Sequence, residues 1–68
     1  MPYSSIDDLP KAVANHLPTH AQEIFLAAFN HALVEYKNEP DPEQSAFKVA
    51  WSAVKKTYHK DGDLWVKT

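Results

Sequence analysis

Prolines divide this chain before any other residue type does. They stand at positions 2, 10, 18, 40 and 42. Each removes a backbone donor and biases the residue before it away from helical geometry. The segments between them must fold as separate pieces, and three of those pieces carry apolar residues at helical spacing.

In "DDLPKAVANHLP" Asp8 is a plausible N-cap, Pro10 suits the first turn, and Ala12, Val13 and Leu17 lie roughly on one side. Pro18 should end that helix near His16. "THAQEIFLAAFNHALVEYKN" begins with Thr19 and Gln22 at capping-box spacing. Ala21, Ile24, Phe25, Ala28, Phe29, Ala32 and Tyr36 then share one arc, which predicts a helix from about Thr19 to Lys37. After the linker "NEPDPE", Asp41 should cap a third helix with Pro42 at its first position. Ala46, Phe47, Ala50, Ala53, Val54, Thr57 and Tyr58 line its apolar face. Lys48, Ser52, Lys55 and His59 line the other. Gly62, the only glycine, stands in "KDGD" where a turn residue is wanted. "LWVKT" reads as a short strand, and the other extended candidate is "PYS" near the N-terminus. The expected fold is therefore mainly α. It is a three-helix domain spanning residues 1–68, with a short two-stranded sheet joining the N- and C-terminal segments.

Sixty-eight residues make a small core, so most apolar side chains are needed for burial. There is no cysteine, which excludes disulfides, thiolate metal sites and a cysteine nucleophile. No apolar run approaches the ~20 residues of a membrane span. "MPYSSIDDLP" has neither the basic nor the apolar region of a signal peptide. A cytoplasmic protein without membrane insertion is expected. Charge is unevenly placed. Residues 1–44 hold two lysines against seven carboxylates, whereas residues 45–68 hold five lysines against two. Arginine, the usual bidentate phosphate ligand, is absent.

At this resolution the residues are familiar. "MPY", Asp8-Leu9-Pro10, "LPTHAQEIFLAAFNHA" at 17–32, Tyr36, "AFKVAWSAVKKTY" at 46–58 and Trp65 resemble the ChaB family across almost the whole chain. The combination of LP-x-HAQ-x-I, AFN-x-A and KVAW-x-AVK is specific. The resemblance implies a mainly helical domain with a small terminal sheet. It also implies a regulator of cation transport, a label given because the founding gene lies beside that of a calcium and sodium/proton antiporter. A cation antiporter or its regulator is then the implied partner. Two departures matter. The linker before the third helix is shorter than the family pattern, and Phe47 stands where the family pattern has histidine.

Candidate sites follow from the same residues. His16 and His20 have the spacing of a metal pair, but Pro18 lies between them and no third ligand accompanies them. No metal or other cofactor is expected. His20, Gln22 and Asn30 are a polar set that architecture explains, through capping and through bonds to a loop or the terminal strand. Phe25, Phe29 and Tyr58 belong to the core. Trp51 and Trp65 are the aromatic residues least explained by burial. Leu26, Leu33 and Val34 widen the apolar arc of the second helix beyond what the core should cover, and are the candidate partner-binding strip. Lys48, Lys55, Lys56 and Lys60 form a candidate basic face on the third helix, the feature behind an alternative reading as a nucleic-acid-associated protein. No nucleophile motif, phosphate loop or EF-hand spacing is present, so catalysis finds no support. The leading expectation is a non-enzymatic interaction module.

Overall fold

The computed structural model describes residues 3–68. A single 3₁₀ turn, Ile6–Asp8, leads into α1, Lys11–Ala14. Then follow α2, Thr19–Glu35, and α3, Pro42–Thr57, and finally β1, Tyr58–Asp61, and β2, Leu64–Lys67. Among the described residues no helix is long and apolar enough to cross a membrane.

The two long helices pack on each other through their apolar faces. Ala21, Ala32, Ala46 and Ala50 are fully buried, and residues this small let the helix backbones come close. Phe25 and Phe29 fill the space between them, both with no exposed surface. Phe47 lies 4.8 Å from Phe29 and 5.9 Å from Phe25, ring centroid to ring centroid. Position 47 is thus a half-buried aromatic contact in this chain. Leu9, Val13 and Leu17 close one end of the core, and Tyr58 is buried at the start of β1.

Helix starts and stops test the sequence reading closely. Asp41 does cap α3: its Oδ1 accepts from the Gln44 N–H at 3.2 Å, with Pro42 in the first turn. Asp8 does not cap α1. It closes the 3₁₀ turn, and Pro10 takes the N-cap position with extended backbone. The Thr19–Gln22 capping box is also absent. Pro18 is the extended N-cap residue of α2, so Thr19 is already helical and no side chain caps that end. Gln22 instead donates from Nε2 to the Ala14 and Leu17 carbonyls, at 3.1 and 2.8 Å. It satisfies the last carbonyl of α1 and one in the connection between α1 and α2.

The small sheet is present and includes the expected strand in "LWVKT", but that strand's partner is not the expected one. Pro2 of the expected N-terminal strand "PYS" lies outside the described residues. Tyr3 does not pair with β2. Its N–H donates to Asn30 Oδ1 at 3.0 Å, its carbonyl accepts from Asn30 Nδ2 at 2.8 Å, and its ring lies 4.9 Å from Phe29. The side-chain amide of Asn30 has taken the place of a strand neighbour. The partner of β2 is β1, antiparallel, with Tyr58 opposite Lys67 and Asp61 opposite Leu64. Gly62, at φ +66°, makes the turn. With positive φ only at the first central position, this is the II′ geometry that matches strand twist. Local pairing closes a far shorter loop than an end-to-end sheet would. Helical spacing alone carried the third helix on through His59 and Lys60 in the sequence reading, which hid β1.

Candidate functional site: a cationic groove over two tryptophans

Three elements converge on one open groove of about 630 Å³, a size typical of ligand sites. The exposed face of α3 supplies Lys48, Ser52 and Lys55, which recur at helical spacing, with Trp51 beside them. The hairpin supplies Lys60 and Trp65, and α1 contributes Ala12, with His16 just beyond its end. Among the described residues the lining holds no carboxylate. The indoles of Trp51 and Trp65 stack 5.6 Å apart at 29°, and Trp51 meets Phe25 edge-on at 5.1 Å. The floor of the groove is therefore anchored to the core. A shallower depression shares Lys48 and Trp51 and runs on to Asp41, Glu43 and Gln44 at the start of α3. Surface charge thus changes sign along one helix.

The hairpin makes this arrangement. β1 folds back at Gly62 and returns Trp65 to α3, opposite Lys60 in the ladder. Lys60 and His59 lie on this strand rather than on α3. Lys56, also exposed, is not among the groove residues. Sequence spacing grouped the lysines, but missed His16 and the pairing of the tryptophans. The usable signal was the glycine turn, with an aromatic strand after it and "YHK" before it.

The other candidates are placed as follows. Leu26 and Leu33 are half-buried and pack against the core, while Val34 is 68% exposed. Leu64, on the hairpin, is equally exposed. His20 Nδ1 lies 3.0 Å from the Tyr58 hydroxyl, so His20 and His16 face different surroundings. Among the described residues no three metal-capable side chains cluster.

A family model described as ChaB matches residues 9–68. The chain belongs to the ChaB family. The "Putative cation transport regulator ChaB" of Escherichia coli strain K12 is 47% identical over 74 aligned positions, covering 98% of this chain and 97% of the relative. The protein of the same description from Shigella flexneri matches to the same extent. A solved structure, "NMR solution structure of the putative cation transport regulator ChaB", superimposes with a TM-score of 0.87 at 46% identity, covering 98% of this chain and 99% of that one. The mainly helical fold with a two-stranded sheet is thus the ChaB fold. The 74 aligned positions exceed the 68 residues here, so these ChaB relatives carry residues this chain lacks.

Proposed function

We propose that this ChaB-family chain is a non-enzymatic cytoplasmic regulator of cation transport. It acts by binding a protein of the transport machinery, a calcium and sodium/proton antiporter or a regulator of one. The observation that carries this reading is the groove: one concave surface with two tryptophans and three lysines and no carboxylate, on a chain related over 98% of its length to the "Putative cation transport regulator ChaB" of Escherichia coli. Three of the four histidines have side-chain partners within the chain, and the fourth, His16, lines the groove. His20 is engaged with Tyr58, His31 with Glu35 and His59 with Thr68. Ser45 donates its hydroxyl to Glu39 Oε1 at 2.8 Å, an exposed contact at the linker, away from the groove. The Leu26, Leu33 and Val34 strip is the second surface for such a partner, narrowed by the contacts of both leucines with the core. Nucleic-acid binding is the weaker alternative, because the basic residues are few, all are lysine, and they give way to carboxylates along α3.

The test uses everted bacterial membrane vesicles, which present the cytoplasmic face outward. Cation-dependent proton release is followed by a pH-sensitive dye, with the purified chain added outside. The half-maximal sodium or calcium concentration should shift by about fivefold, the low end of ordinary allosteric coupling. Lys55→Glu/Lys60→Glu should remove the shift if the groove is the contact, and Leu26→Glu/Leu33→Glu if the strip is. A wild-type chain with no effect on either cation would overturn the proposal.

A further inference from the structure

We infer that the groove between α1, α3 and the hairpin binds a short acidic peptide segment. Its carboxylates face Lys55 and Lys60, and an apolar side chain lies on the Trp51–Trp65 floor. This deepens, and rests on, the reading of the chain as a protein-binding regulator. Three observations select the ligand. The rim presents ammonium groups and an imidazole with no opposing carboxylate. Lysine ammonium groups act as compact point charges that attract carboxylate and phosphate alike, so the rim calls for an anion and the next two observations choose which.

The second observation is the change of charge along α3. The depression that continues the groove past Lys48 and Trp51 is bordered by Asp41 and Glu43. A polymer with a phosphate at every step would run from lysines onto carboxylates. A peptide that is acidic at one end only meets no such conflict. Third, the two indoles already face each other at 5.6 Å, and Trp51 also rests on Phe25. A nucleobase cannot slide between them, whereas a leucine or phenylalanine side chain needs only the apolar surface they present together.

The chain carries its own probe, because both of its tryptophans line the groove. Intrinsic fluorescence is titrated with an acetylated, amidated peptide of three acidic residues followed by two leucines. The same peptide with lysines for the acids, and oligothymidylate, are titrated in parallel. A saturable change with the acidic peptide alone is expected. It should weaken about tenfold or more in Lys55→Glu/Lys60→Glu and less in Lys55→Gln/Lys60→Gln, while Lys56→Glu, outside the groove, stays near wild type. Circular dichroism confirms that each variant is folded. Equal affinity in the double variant and wild type overturns the assignment, as does tighter binding of oligothymidylate. A fluorescence change that follows chain concentration without peptide also overturns it, since a second copy's acidic linker would then be the occupant. A transport effect without peptide binding ends this inference and leaves the regulator reading. Peptide binding without a transport effect does the reverse.

Discussion

The two ends of the chain solve the same problem in different ways. Among the described residues both are short, lie outside the two long helices and must attach to the core those helices form. The N-terminal backbone is tied by one side chain: Asn30 holds both backbone groups of Tyr3, while Phe29 supports the ring and Ile6 and Leu9 pack on the core. The C-terminal end is attached by its own backbone ladder, by Trp65 on Trp51, and by a Thr68 N–H to Thr57 carbonyl bond of 2.8 Å that extends the pairing. A tether of one residue fails with one substitution, whereas a ladder fails gradually. The end held by the ladder is the one that lines the groove.

Three substitutions separate these attachments. Phe29→Ala should have the largest effect, because Phe29 is fully buried and touches both Tyr3 and Phe47. A loss of about 3–5 kcal/mol is expected for a buried phenylalanine, most of the stability of so small a domain. Chemical denaturation should show both ends melting with the helices. Survival of a cooperative transition near the wild-type midpoint would contradict the shared-core picture. Asn30→Ala should cost about 1–3 kcal/mol, since the part-buried Tyr3 backbone groups lose their partners. Amide exchange should then accelerate at Tyr3 and stay slow in the hairpin. Gly62→Ala should be mildest, at about 1 kcal/mol for a side chain held at positive φ with nothing within 4 Å to clash. Its loss should appear in the cross-strand amides of β1 and β2, with the Tyr3 amide unchanged. Fraying of both ends in either of the last two variants would show that they are coupled.

Most of the helical architecture was legible because it is periodic. The α2 and α3 faces, the Asp41 cap and the Gly62 turn are each set by residues within a few positions of one another. The errors arose where a neighbour in space outbid a neighbour in sequence. Gln22 has the spacing of a capping box, but Pro18 fixes the cap position and turns the amide toward the end of α1. Tyr58 continues the apolar face of α3, so helical period cannot mark the point where the backbone becomes extended. Lys48 and Lys55 of the candidate site were legible as a helix face, whereas Lys60 lies on β1. The groove itself was not, because its walls come from α1 and from a strand that the periodicity concealed.

Tyr58 has a further consequence. It is the first residue of β1, yet it is 6% exposed, donates its N–H to Val54 and bonds His20 through its hydroxyl. The pivot on which the hairpin would swing is therefore embedded in the core. Opening the groove by moving the hairpin would require breaking the interior first. A partner docking there as proposed meets a hairpin anchored at its base, so the loss of freedom on association falls on that partner and on the groove lysines. Such a surface rewards partners that already hold their bound shape, and discriminates among flexible ones by what each must give up to match it.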